Sequence, residues 1–163
     1  MTFIGIIPAR WASSRFPGKP LAMIGGVAMI NRVYDRAAQA LGKDNVVVAT
    51  DDNRILDCVT EAGGRAVMTS PDHASGTDRC LEAYVKSGST ADVIINIQGD
   101  EPFIDPQQIL SLRDCFADPT VEIATLVRRF NPENGYEALA NPSTPKVVLD
   151  DKANALWFSR AVI

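Results

Sequence analysis

The 163 residues hold 16 Lys and Arg against 20 Asp and Glu, a net charge of −4, with 46% hydrophobic, 22% charged and 7% aromatic residues. This composition excludes collagen-like and disordered chains, and no run approaches the roughly 20 apolar residues of a membrane span. The length suits one domain over residues 1–163, and the opening Met1–Ile7 lacks the basic start of a secretory signal, which predicts a cytoplasmic protein without membrane insertion.

Thr2–Pro8 is an apolar run ended by proline and reads as a buried strand, followed by a loop over residues 9–19 rich in Arg, Ser, Pro and Gly. After Gly25-Gly26, the positions Val27, Ile30, Val33, Tyr34, Ala37, Ala38 and Leu41 share one helical face, with Gly42 as the stop. Asn45–Thr50 is a β-branched strand, and Asp51-Asp52 can cap a helix carrying Ile55, Leu56, Val59 and Ala62. The cycle repeats with a strand at 65–68, a polar loop, a helix at 77–86 and a strand at 92–97. Asp105-Pro106 then starts a helix whose inner face is Ile109, Leu112 and Phe116. Segments 122–127, 146–149 and 155–158 read as later strands, the last two flanking a polar turn at 150–154 as a β-hairpin. Alternating strands and helices predict an α/β fold, a Rossmann-like open and mainly parallel sheet with helices on both faces and a late hairpin. The chain stops at Ile163 in mid-pattern, which predicts a domain incomplete at its C-terminus.

Cys58, Cys80 and Cys115 are odd in number and far apart, without the spacing of a zinc site, and read as reduced, mostly buried thiols. The sole histidine, His73, shows no evident orienting partner.

Charge is uneven along the chain. Residues 1–34 carry Arg10, Arg15, Lys19 and Arg32 and no acid, leaving 12 basic against 20 acidic residues elsewhere. A basic segment in an acidic chain suits a small anionic ligand better than nucleic acid, which wants an extended basic face. In open parallel sheets ligands bind beyond the carboxyl ends of the strands, where loops 9–19, 50–52, 69–79 and 98–105 converge. Arg10, Arg15 and Lys19 on the first loop suit a polyphosphate, although the loop also reads as a solvated basic segment. It is not a Walker A loop, since Pro20 follows Gly18-Lys19, and no G-x-G-x-x-G turn follows the first strand. In Gln98-Gly99-Asp100-Glu101-Pro102, Asp100 facing those cations is a candidate ligand for a divalent metal, and a plain helix-capping turn is the competing reading. His73–Arg79 opens a helix whose free N–H groups, with Ser75 and Thr77, can bind oxygen-rich groups or merely cap it. Asp51-Asp52 reads chiefly as a cap, and Lys146 and Arg160 as basic residues usually solvated.

The ordered motifs I-P-A-R-x-x-S-S-R-x-P-G-K-P-L, V-A-T-D-D, M-T-S-x-x-H-x-S-G-T-D-R, N-x-Q-G-D-E-P and K-V-V-x-D, followed by A-L-W-F-S-R, together resemble the 3-deoxy-D-manno-octulosonate (Kdo) cytidylyltransferases, the CMP-Kdo synthetase family of lipopolysaccharide biosynthesis. The resemblance implies the nucleotide-diphospho-sugar transferase type of fold and a Mg²⁺-dependent transfer of CMP from CTP to the anomeric hydroxyl of Kdo, releasing pyrophosphate. It implies catalytic roles for Arg10, Lys19 and Asp100, with Asp100 on Mg²⁺. It implies a nucleotide pocket of Ala9, Arg10, Ser14, Arg15, Lys19, Ser75, Gly76, Thr77, Arg79 and Gln98, and sugar contacts from Gln98 and Arg160. The family is expected to form homodimers at full length, and it carries much of its sugar site, its dimer interface and a second metal-binding aspartate after the position of Ile163. A cytidylyltransferase for another acidic sugar such as a sialic acid, or a non-catalytic CTP-binding module, remain the alternatives.

Overall fold

The computed structural model describes residues 1–12 and 16–163, in two units, Met1–Ala124 and Thr125–Ile163. The first unit runs β1 (Phe3–Ala9), β2 (Met23–Ile24), β3 (Val27–Ala28), α1 (Met29–Leu41), β4 (Val46–Thr50), α2 (Asn53–Glu61), β5 (Ala66–Met68), α3 (Gly76–Lys86), β6 (Val93–Asn96) and α4 (Pro106–Cys115). The second holds α5 (Glu137–Ala140), β7 (Lys146–Leu149) and β8 (Ala155–Ser159).

In the first unit a parallel sheet has the order β5-β4-β1-β6, with Gly5 opposite Val46 on one side of β1 and Ile95 on the other. Successive side chains point to opposite faces, so the sheet's core splits in two. Ile7, Val46, Val48 and Ile95 pack with Val33 of α1, Ile55 of α2 and Ile109 of α4 on one face. Ile4, Ile6, Val47 and Ala49 pack with Cys80 and Ala83 of α3 on the other. Burial on both faces is why β1 and β4 read as continuous apolar runs. The α/β architecture with helices on both faces is as expected. No described helix is long and apolar enough to cross a membrane.

The second unit holds the antiparallel pair β7–β8, with Lys146 opposite Ser159. Its turn is organised by Asp150, whose carboxylate accepts from Asn154 Nδ2 and N, both at 2.8 Å, and from Lys152 N at 2.9 Å. These bonds, led by the Asn154 side chain, hold the Asp150 carboxyl below the usual carboxylate range.

Four expectations are corrected. Val27 lies in β3, and α1 begins at Met29, because Gly25 and Gly26, at φ 55° and 79°, form a two-residue hairpin turn. Segment 122–127 forms no strand; Ile123 is exposed, and no neighbouring strand among the described residues hydrogen-bonds to it. Of the three free thiols only Cys80 is buried; Cys58 is half-buried and Cys115, on the solvent side of the last turn of α4, is exposed. Lys146 is buried, its ammonium donating to the carbonyls of Asn141 at 3.1 Å and Arg160 at 2.6 Å.

Truncating Ile109, which seats α4 on the sheet at 1% exposure, to alanine is expected to cost about 2–5 kcal/mol in urea unfolding. Burial pushes the Cys80 thiol up to about 12, so a thiol-specific disulfide reagent at mildly alkaline pH should label Cys115 in the folded chain and leave Cys80 untouched until denaturant is added.

Candidate active site

Beyond the carboxyl ends of β1 and β6 the first unit opens into a cleft of about 320 Å³. Pro8 is its floor, and two glycines crowd it. A side chain at Gly99 would place its Cβ 2.7 Å from the Pro8 carbonyl oxygen, and one at Gly76 would place it 3.3 Å from the Pro8 ring. Only glycine lets the loop after β6 approach the top of β1 so closely.

One wall of the cleft is the first loop. Trp11 O accepts from Gly18 N at 3.0 Å, closing the loop's base, and the indole stacks under the Arg54 guanidinium, 3.3 Å from ring centroid to its central carbon. Arg54 in turn pairs with Asp52, which also caps α2 by accepting from Arg54 N at 3.0 Å. That bidentate contact lowers the Asp52 carboxyl below its usual range. Lys19 follows Gly18 and donates to Asp100 Oδ2 at 2.7 Å, with both side chains about half exposed. Arg10 is exposed at the rim and pairs with no acid among the described residues.

The other wall is the N-terminus of α3. Ser75 is its N-cap, its hydroxyl accepting from Asp78 N at 3.2 Å, which leaves the first N–H groups of the helix at the cleft. The approach to this helix is held by Glu82, which accepts from Ser70 N at 2.8 Å, pairs with Lys86 Nζ at 2.7 Å and meets His73 Nε2. The histidine therefore does have a partner, contrary to the sequence expectation; a loop-to-helix pair nine residues apart leaves no periodic trace. Lys86, then Ser70 N and His73, bring the Glu82 carboxyl down from 4.5 to about 2.

Ala9, Arg10, Lys19, Ser75, Gly76, Arg79, Gln98 and Asp100 line one cleft, together with Met29 and His73, which the sequence did not assign to a ligand. Thr77 is exposed on α3 outside that lining. Ser14 and Arg15 lie outside the described residues. Arg160 lies in the second unit, donating to Pro142 O at 2.9 Å. Arg79 differs from expectation in its chemistry: its buried guanidinium donates to Asp51 Oδ2 at 2.8 Å and Thr69 Oγ1 at 2.5 Å. Asp51 is accordingly not a helix cap but the partner of Arg79, and it also accepts from Trp11 N at 3.2 Å. Its signal was the doubled acid: one residue suffices to cap α2, and Asp52 does so.

Two arrangements in this cleft bear on chemistry. Arg10 and Lys19 converge as donors on a space suited to phosphate oxygens, and the start of α3 lines the same cleft. Asp100 offers hard carboxylate oxygens at their edge. A single carboxylate completed by phosphate oxygens and water fits Mg²⁺ better than a cage of several protein ligands would. Because its pair with Lys19 is exposed, and such pairs contribute about 0–1 kcal/mol, Asp100 can exchange the ammonium for a dication at small cost.

A family model described as Cytidylyltransferase matches residues 4–163. A 3-deoxy-manno-octulosonate cytidylyltransferase of Bacteroides thetaiotaomicron is 56% identical over 163 residues, covering all of this chain and 64% of the relative. The chain thus spans 64% of that curated relative's length. Among solved structures, a CMP:2-keto-3-deoxy-manno-octonic acid synthetase complexed with CTP superposes with a TM-score of 0.89 at 46% identity, over 99% of this chain and 65% of the other. A cytidylyltransferase from Leptospira borgpetersenii aligns with a TM-score of 0.63 at 26% identity, over 76% of this chain and 52% of its own.

Folding holds the Glu82 carboxyl at about 2 against an ordinary 4.5, so its stabilisation is full above the higher value and is lost as pH falls towards the lower. Glu82→Gln is therefore expected to flatten the acid-side fall in melting temperature across that window, as read by circular dichroism.

Proposed function

The chain belongs to the cytidylyltransferase family, and from that premise we propose that its cleft binds CTP and serves the transfer of CMP to the anomeric hydroxyl of Kdo, with release of pyrophosphate. The observation that carries the reading is the convergence of Arg10, Lys19, the start of α3 and Asp100 in one cleft, in a chain 46% identical to a synthetase solved with CTP. The Kdo assignment rests on the names of the relatives, and a part in lipopolysaccharide synthesis is what the resemblance of the motifs implies. Free cysteines fit a cytoplasmic setting.

In this reading the sugar hydroxyl attacks the α-phosphorus in line, the P–O bond to pyrophosphate breaks, and the hydroxyl proton is lost to solvent. The work of the protein is positioning and stabilisation of charge. Arg10 and Lys19 hold the triphosphate and meet the negative charge that builds on the leaving pyrophosphate. The N–H groups at Ser75 and Gly76 line the nucleotide, while Gln98, after β6, stands between nucleotide and sugar. Asp100 would hold Mg²⁺, which when bound neutralises phosphate charge and lowers repulsion against the incoming oxygen. Lys19, whose pair with Asp100 is exposed, can turn to the phosphates.

CTP with Mg²⁺ is expected to raise the melting temperature, since ligand at about 100 times its Kd adds about 2.7 kcal/mol to the folded state; UTP should not. With Kdo supplied, pyrophosphate release is expected from CTP, and Lys19→Ala should lower it by about 10²–10³-fold. A folded chain whose melting temperature CTP leaves unchanged overturns the reading.

A further inference from the structure

Asp51 lies outside the lining of the cleft, and each of its oxygens bonds to one of the elements that form the two walls. Oδ1 accepts from the backbone N–H of Trp11, the residue that closes the base of the first loop. Oδ2 accepts from Arg79 Nη2, in the first turns of the helix whose N-cap lines the opposite side. The contact is enclosed, with side-chain exposures of 4% for Arg79 and 11% for Asp51. It is also anchored to the sheet: Arg79 Nη1 donates to Thr69 Oγ1, which donates in turn to the carbonyl of Thr50 at the end of β4, 3.0 Å away. No buried side-chain polar atom among the described residues lacks a partner.

We propose that Asp51 is a positioning residue that sets the separation of the two walls, so that the loop that holds the phosphates and the helix that lines the rest of the nucleotide grip one ligand together. The inference rests on the reading of the cleft as a CTP site. A ligand that touches both walls gains the second set of contacts as an intramolecular event only if the walls are already at the right spacing. A ligand that touches one wall gains nothing from that spacing. A carboxylate is suited to the task because its two oxygens accept from two directions at once. Burial makes the link stiff, since withdrawing either partner would leave a charge uncompensated. Asparagine at this position would still accept from Trp11 but could not neutralise Arg79, which would uncouple the helix wall from the loop wall.

The test compares Mg·CTP, which spans both walls, with inorganic triphosphate, which engages the loop wall alone, in calorimetric titrations of the wild-type chain and of Asp51→Asn. The expected result is about a tenfold loss of CTP affinity, equivalent to about 1.4 kcal/mol, with triphosphate affinity within about twofold of wild type. A merely structural role would weaken both ligands by one factor, and that outcome, or unchanged CTP binding, overturns the proposal. Should Asp51→Asn not fold by circular dichroism, Asp51→Glu decides. It keeps the charge on Arg79 but adds a methylene to the link, and the same selective loss is expected. Wild-type chain that binds triphosphate and not CTP would instead overturn the nucleotide reading itself, and the two failures are thereby told apart.

Discussion

Strand β1 is hydrogen bonded along both edges, and the cleft hangs from its carboxyl end. Parallel pairing with β4 and β6 puts three strand ends side by side, and each delivers one component. β1 leads into the cationic loop and β6 into Gln98, Gly99 and Asp100 at the cleft, while β4 leads into Asp51, which bonds to Trp11 N and Arg79 outside the lining. Antiparallel pairing would have sent one of these loops to the opposite edge of the sheet. Pro8 stands one residue before the end of β1, and Gly76 and Gly99 pack against it without room for a side chain.

The charges in the cleft fall into two kinds. Arg10 is exposed and pairs with no acid among the described residues, and Lys19 and Asp100 form a half-exposed pair that is weakly held in water. Asp51 and Arg79 are enclosed and committed to one another. The same residue types thus serve as replaceable contacts at the rim and as fixed supports behind it. Burial, not identity, decides which.

The alternation of the sheet was legible in the residues because both faces of β1 and β4 are buried, which turns strands into unbroken apolar runs such as Val46-Val47-Val48. The loops of the candidate site were legible for the same reason: once the strands are parallel, their carboxyl ends bring Lys19, Ser75 and Asp100 to one cleft. What escaped was local geometry with two readings and pairing at long range. Gly25-Gly26 breaks a pattern equally well before a helix or inside a hairpin, and only the ladder between Met23 and Ala28 decides. Segment 122–127 has the composition of a strand, but a strand needs a neighbour to bond. Asp51 with Arg79, and His73 with Glu82, join residues whose separation in sequence follows no period.

The two tryptophans of the chain fall one to each unit. Trp11 is half-buried at the base of the cationic loop beneath a guanidinium, whereas Trp157 is 63% exposed on β8. Their indoles therefore emit from unlike surroundings, one screened and beside a positive charge, the other in water. The two indoles are thus distinct reporters, Trp11 of the base of the first loop and Trp157 of the hairpin.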